Sequence, residues 1–278
     1  CASNLPGEPT MTDPRPANAA GAAQTGDAPL VSVLIPAKNE AGNIGKLVNE
    51  VVTALRPECA FEIVLVDDGS DDGTGDEFVQ SCRDLGAAGQ LVRHQASVGQ
   101  STALCSAALQ ARGRYLITID GDGQNDPADM PGLLRSARET EAQSAHFCIA
   151  GYRKNRQDTE WKKFQSRIAN AVRQKLLSDQ VPDTGCGLKL IPRETWLRLP
   201  YFDHMHRYLP ALVLRLGGLI RVVPVNHRAR HVGVSKYNAW NRLWVGLVDM
   251  AGVMWLSRRG KRPVIAQVQS IPAHEKPH

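Results

Sequence analysis

A chain of 278 residues, 42% apolar and 22% charged, is long enough for one large α/β domain and short for two independent ones. Its 33 basic and 28 acidic residues leave a net charge of +5, a weak pull towards anionic partners; no basic patch or stripe marks a nucleic-acid binder, and none is expected. Six cysteines, Cys1, Cys59, Cys82, Cys105, Cys148 and Cys186, form no CxxC pair, which argues against a zinc knuckle or a disulfide framework and for buried thiols in a reducing compartment.

No run approaches the roughly 18 apolar residues of a spanning helix, and no charged and then apolar leader opens the chain, so a cytoplasmic protein with a membrane-surface contact is expected. Residues 1–29 hold five of the 17 prolines among small and polar residues and are expected to be disordered. The opening Cys1 is read as an upstream or mis-set start, with Met11 inside a polar leader, in preference to a lipidated cysteine.

From Leu30 the texture changes. Leu30 to Ile35 is a short β-branched run ended by Pro36, the pattern of a buried strand. Asn39 to Leu55 then carries Ile44, Leu47, Val48, Val51 and Leu55 at helical spacing. The alternation repeats: strand Phe61 to Val66, helix Gly73 to Asp84, strand Leu91 to His94, helix Val98 to Ala111, and strands Tyr115 to Ile119 and Phe147 to Ala150. Strands alternating with helices imply a mostly parallel, Rossmann-like α/β sheet flanked by helices, whose ligands bind beyond the carboxyl ends of the strands. After Gly151 the rhythm degrades into a basic helical segment from Trp161 to Leu177, a Gly-rich turn from Asp183 to Gly187, a mixed stretch, and a Trp-rich segment from Trp240 to Leu256. This half reads as acceptor-side structure laid on the first.

Two acidic motifs follow buried strands. In Ile117 to Pro127 (ITIDGDGQNDP) a strand delivers Asp120 and Asp122 spaced by one glycine, hard oxygen ligands suited to Mg²⁺ or Mn²⁺ carrying a diphosphate; an acidic turn capping the next helix is the other reading, and Asp126-Pro127 alone fits it. In Val64 to Thr74 (VLVDDGSDDGT) the carboxylates either accept hydrogen bonds from a base or ribose or cap the following helix, with Asp68 favoured as the binder. Glu40, after Pro36-Ala37-Lys38-Asn39, is a binder or a first-turn helix acid.

Together, IPAKNEAGNI, VLVDDGSDDGT about 30 residues later and ITIDGDGQNDP about 50 beyond that resemble the family-2 glycosyltransferases of GT-A fold. The likeness is to the dolichol-phosphate mannose synthase and undecaprenyl-phosphate glycosyltransferase branch. It continues through Gly151-Tyr152-Arg153, Asp183 to Gly187, and Arg230 to Lys236, so it covers about Leu30 to Lys236. The resemblance implies that Pro36, Lys38, Glu40, Val66 and Asp68, with Asp120, hold the nucleoside. It implies that Asp120, Asp122 and Gln124 manage the metal and diphosphate, and that Arg153, Arg230 and Lys236, with Arg167 as a weaker candidate, hold phosphates. Asp122, Arg153 and Asp183 become the catalytic set, Asp183 orienting an arginine or the sugar. The sequence departs from the branch at Lys38, where many relatives carry Tyr, and at Gly121 and Gly123, where they carry Ala and Leu; UDP is favoured over GDP.

The implied reaction is inverting transfer of a sugar from a nucleotide sugar to a polyprenyl phosphate. The acceptor phosphate is already anionic, so no general base is expected. Trp240, Trp244 and Trp255 fall within about 60° on a helical wheel, flanked by Arg242, Arg258, Arg259, Lys261 and Arg262, which suits a helix lying in a membrane interface; a core or dimer helix is the alternative. The expected organisation is a leader (1–29), a GT-A domain (30–236), an interfacial helix (237–262) and a tail (263–278). A non-catalytic sugar-nucleotide binder, a family-2 transferase with a non-lipid acceptor, a homo-oligomer and a separate membrane partner stay open. A sugar nucleotidyltransferase is disfavoured by the absence of a Gly-rich basic loop, and a processive synthase by the absence of a Gln-x-x-Arg-Trp signature.

Overall fold

The computed structural model describes residues 28–153, 173, 174, 176, 177, 179, 181–228 and 239–259, with side chains of the last segment described from Gly246 onward. Seven strands, β1 (Val31–Ala37), β2 (Phe61–Asp67), β3 (Gly89–Arg93), β4 (Tyr115–Thr118), β5 (Phe147–Arg153), β6 (Lys189–Pro192) and β7 (Leu219–Val225), form one sheet. Their order is β3-β2-β1-β4-β6-β5-β7. The β1–β2, β2–β3, β1–β4 and β5–β7 pairs are parallel, and β6 runs antiparallel to both β4 and β5.

Side chains on a strand alternate between its faces, and the core divides accordingly. Ile35, Leu65, Ile117 and Leu190 share one apolar layer with helices α1 (Ile44–Leu55), α2 (Thr74–Leu85) and α4 (Met130–Glu141). Leu34, Val64, Leu116 and Ile191 share the other with α3 (Gln100–Gln110), α5 (Arg193–Leu197), α6 (Leu209–Arg215) and α7 (Ala239–Arg259). Both faces of the central strands are therefore covered, which is why they read as continuous apolar runs.

The helix expected from Asn39 begins only at Ile44. The intervening loop is held instead by side chains of the β2–α2 turn. Thr74 Oγ1 accepts from Glu40 N at 2.9 Å, Asp72 from Ala41 N at 3.0 Å, and Glu77 from Gly42 N and Gly45 N at 2.6 and 2.7 Å. Of these amides only Gly45 N would have been bonded within a helix from Asn39; the other three would have been unpaired at its first turn, and the loop satisfies them with side chains instead.

The second half differs more from expectation. β6 and β7 are strands of the same sheet, not a layer laid upon it. β6 is four residues long, opens on a lysine and ends on a proline, too short for a pattern to show. β7 contains Pro224, which a strand at the sheet edge tolerates because one side of it makes no ladder. Of the helix expected from Trp161 to Leu177, only Arg173, Gln174, Leu176 and Leu177 are described, and these are helical. Residues 1–27 of the expected leader and the tail after Arg262 lie outside the described residues.

The Trp-rich segment is the helix α7, of whose three tryptophans only Trp255 has its side chain among the described residues. One face is anchored: Val253 is fully buried, Tyr208 Oη donates to the Gly246 carbonyl at 3.0 Å, and Arg215 Nε donates to the Leu256 carbonyl at 3.0 Å. The opposite stripe, Leu247, Val248, Ala251, Gly252 and Trp255, is exposed and leads to exposed Arg258 and Arg259. No described helix is long and apolar enough to cross a membrane.

Candidate active site

The parallel strands β1, β2 and β4 end side by side, so their following loops gather the acidic motifs at one edge of the sheet. Pro36 and Val66 are register partners on β1 and β2; Val66 is fully buried, so only its backbone can face a nucleoside. Lys38 is exposed and Glu40 half-buried in the loop after β1, where Glu40 accepts from Asn43 Nδ2 at 2.9 Å.

Asp68 does more than the sequence implies. Its carboxylate accepts from Ser97 Oγ (2.8 Å), Val98 N (3.0 Å) and Gly99 N (3.0 Å) and lies 2.7 Å from His94 Nδ1. Burial works to raise its pKa, but the bonds from His94, Val98, Ser97 and Gly99 outweigh it and hold the carboxyl below its ordinary range. Asp68 thereby fixes the loop leading into α3. Asp72, by contrast, takes the capping role: it accepts from Thr74 N at 3.0 Å and from Ala41 N. Asp126 also caps, accepting from Ala128 N at 3.0 Å while pairing with Arg228 at 2.7 Å.

The turn after β4 holds the second motif. Asp120 Oδ1 accepts from Gln100 Nε2, on the first residue of α3, at 2.7 Å. Asp122 Oδ1 accepts from Gln124 N at 3.1 Å across Gly123, whose φ of +71° suits glycine. Burial first, then repulsion from Asp122, pushes the pKa of Asp120 up to about 6, against the pull of Lys189 and Arg153. Asp120, its proton affinity raised by burial and by the neighbouring Asp122, offers together with Asp122 the hard carboxylate oxygens that a divalent cation takes. Among the described residues no group of three or more His, Cys, Asp or Glu side chains forms a metal cluster, so further ligands would come from substrate and solvent.

The Asp183–Gly187 turn and β6 bring the remaining groups to Asp120. Arg153, at the end of β5, donates from Nε and Nη2 to the two oxygens of Asp183 at 2.6 and 2.8 Å, a bidentate fork. Thr118 Oγ1 donates to the Gly187 carbonyl at 2.5 Å, so the turn is stitched to β4. Gly187 lies so close to Asp120 that a Cβ there would stand 2.2 Å from Asp120 Oδ2. Lys189, almost wholly buried, donates from Nζ to the carbonyls of Thr184 and Cys186.

A cavity of about 370 Å³ lies among these groups, with Asp120, Arg153, Gly187 and Lys189 along the strand ends and His206 and Arg207 from the turn before α6. Sequence reasoning misses His94, Gln100, Lys189, His206 and Arg207; each is an isolated polar residue with no spacing to mark it. Of the expected phosphate binders, Arg153 lines the cavity, while Arg167, Arg230 and Lys236 lie outside the described residues. The chain leading to Arg230 is nevertheless anchored at the acidic turn, where Arg228 N donates to the Gln124 carbonyl at 2.9 Å and Asn125 bridges His227.

Residues 32–196, more than half of the chain, match the profile of glycosyl transferase family 2. A dodecaprenyl-phosphate galacturonate synthase of Rhizobium johnstonii is 33% identical over 241 residues, spanning 84% of this chain and 69% of that protein. An undecaprenyl-phosphate 4-deoxy-4-formamido-L-arabinose transferase of Pseudomonas aeruginosa is 31% identical over 215 residues, 77% of this chain and 62% of that protein, so the chain spans about two thirds of these relatives. Among solved structures, a mannosyltransferase from Pyrobaculum calidifontis in complex with GDP-Man and Mn²⁺ superimposes with a TM-score of 0.63 at 22% identity, covering 85% of this chain and 66% of that one. Glucosyl-3-phosphoglycerate synthase from Mycobacterium tuberculosis in complex with Mn²⁺ and UDP-Glc gives 0.58 at 17%, covering 82% and 79%. The last two likenesses bear on the fold. With its doubly covered sheet and its acidic motifs at the strand ends, the chain belongs to glycosyl transferase family 2 and has the GT-A fold.

Proposed function

We propose that this chain is an inverting glycosyltransferase that moves a sugar from a nucleotide sugar, UDP- in preference to GDP-, to a polyprenyl phosphate at the cytoplasmic face of a membrane. The observation that carries this reading is that one cavity is lined by both Asp120 and Arg153, the latter held by Asp183, where a donor diphosphate and an acceptor phosphate could meet. By their names both curated relatives act with polyprenyl phosphates, which supports the lipid acceptor. The sugars in those names differ, one an acid and one neutral, so kinship leaves the sugar open.

In this reading Pro36, Lys38, Glu40, Asp68 and the Val66 backbone hold the nucleoside. Mg²⁺ or Mn²⁺, held by Asp120 and Asp122 beside Gln124, would when bound neutralise charge growing on the leaving diphosphate. Arg153 holds the acceptor phosphate, and Asp183 keeps its guanidinium in one orientation. Arg230 and Lys236 are assigned to the same phosphates. The attacking phosphate oxygen is anionic at neutral pH, so the site's task is to align two anions and offset their repulsion rather than to remove a proton. Attack in line with the departing diphosphate inverts the anomeric carbon.

The test is a panel of radiolabelled UDP- and GDP-sugars incubated with undecaprenyl phosphate and Mg²⁺ or Mn²⁺. Label should enter the lipid phase with one donor and require both cation and lipid. Tight nucleotide binding without turnover on any lipid would point to a binding protein, and transfer to a soluble acceptor would move the chain to a different branch of the family.

The exposed stripe of α7 is proposed to seat the enzyme on the bilayer. Leu247 is 45% exposed, Val248 57% and Trp255 60%, and the cations that follow suit anionic headgroups. In a liposome flotation assay the wild type should float with anionic vesicles, less strongly in high salt because only the charge contribution is screened. The double variant Val248→Glu/Trp255→Ala should stay at the bottom. Equal flotation of both proteins would place the contact elsewhere.

A further inference from the structure

Three cations line the cavity, and two of them are committed within the protein. Arg153 spends its fork on Asp183, and Lys189 Nζ is bound to the carbonyls of Thr184 and Cys186. The third, Arg207, is half-buried, and its guanidinium makes no hydrogen bond or ion pair among the described residues. Asp249 feels its charge, but that carboxylate is engaged by His204 Nδ1 at 3.2 Å. The neighbouring His206 adds no charge: burial, with Arg207, Lys189 and His204 nearby, pushes its pKa down to about 3. Among the described residues the cavity therefore keeps one half-buried positive charge without a protein anion beside its guanidinium.

The contacts place the backbone of Arg207 beside the first turn of α3. Gln100 bonds Asp120, the next residue Ser101 bonds His206 Nδ1 at 2.8 Å, and Arg207 follows directly. This short chain links the backbone at Arg207 through the first turn of α3 to Asp120, and with the Arg153–Asp183 fork assigned to the acceptor, Arg207 is the cavity cation left for the donor. The planar guanidinium matches a carboxylate bidentately, which a hydroxyl of a neutral sugar cannot reciprocate. We infer that Arg207 receives a carboxylate on the donor sugar, so that the substrate class is a nucleoside diphosphate uronic acid. The inference rests on the proposed glycosyl-transfer reading.

Equilibrium titration of the full chain with Mn²⁺ tests it without turnover, using UDP, UDP-glucose against UDP-glucuronate, and UDP-galactose against UDP-galacturonate, with GDP, GDP-mannose and GDP-mannuronate as the guanosine series. The wild type should bind a uronate at least tenfold more tightly than its neutral counterpart. Arg207→Gln should erase that preference while leaving the affinity for the bare nucleoside diphosphate within twofold, and Arg207→Lys should restore part of it. The retained nucleotide affinity also shows that the variants are folded. A wild type that binds the bare diphosphate without preferring a uronate overturns the inference. So does an Arg207→Gln protein that keeps the preference, or one whose change is confined to a higher KM for polyprenyl phosphate. Failure to bind either UDP or GDP would instead sink the glycosyl-transfer reading itself.

Discussion

Asp122→Ala should lower transfer by roughly 10²–10³-fold, the loss typical of deleting one group that stabilises charge growing in a transition state. The fold should survive, because Asp122 is half-buried in a surface turn beyond the end of β4, outside both apolar layers. Asp122→Asn is the sharper variant, since it keeps an acceptor for the Gln124 amide and removes only the charge; it should be nearly as inactive. Acid should act in the same direction. Asp120 carries a pKa of about 6, so below that pH protons compete for its carboxylate and the cation concentration needed for half-maximal activity should rise. Activity that persists in EDTA, or a cation requirement flat from about pH 5 to 8, would take the two aspartates out of the proposed role.

Gly187→Ala is the second large effect. A Cβ at this position would stand 2.2 Å from Asp120 Oδ2 and 2.5 Å from its Cγ, far inside contact distance. The backbone cannot easily retreat, for the Gly187 carbonyl is held by Thr118 Oγ1 and the next strand residues are paired with β4. Asp120 must therefore swing away from Gln100, carrying the carboxylate out of its place in the cavity. A loss of transfer on the order of 10²-fold is expected, appearing mainly as weaker cation and donor binding. The stability cost should be smaller, about 1–3 kcal/mol, as for other overpacked sites. Gly132→Ala is the control: it lies in α4 with nothing within 4 Å of its added Cβ, and should leave activity alone while stabilising by about 0.4–1 kcal/mol. Equal kinetics for the two variants would show that the turn yields and that Asp120 is not tightly placed.

The sequence discloses those parts of the fold whose physical cause is local. β1, β2 and β4 read as apolar runs because both faces of each are buried, and the aspartates after β2 and β4 stand out against those runs, although spacing alone does not separate the cappers Asp72 and Asp126 from the rest. β6 escapes notice because four residues bounded by a lysine and a proline carry no period. Its pairing with Ile117 and Leu116 is a tertiary fact. The same distinction runs through the site. Asp120 and Asp122 are legible from spacing, whereas Lys189 and Arg207 matter because of what they do or do not touch. Asp68 is a mixed case: the motif names it, but its binding of Ser97, Val98 and Gly99 depends on where α3 begins. The start of α1 is missed for a similar reason, since apolar spacing cannot report that Glu77 and Asp72 capture the amides before Ile44.

The antiparallel insertion of β6 between β4 and β5 has a consequence for how the chain is made. Tyr115 of β4 pairs with Pro192 of β6, so a nascent chain exposes β4 as an unpaired edge until the ribosome has added more than seventy further residues. At roughly 5–20 residues per second that interval lasts on the order of 4–15 s, during which β1, β2, β3 and β4 can assemble into a half-sheet with an open, apolar border. Such a border is a template for pairing with another chain. Vectorial synthesis thus creates a window of aggregation risk that closes only when β6 docks, and a chain truncated at Gly151 would hold that window open permanently.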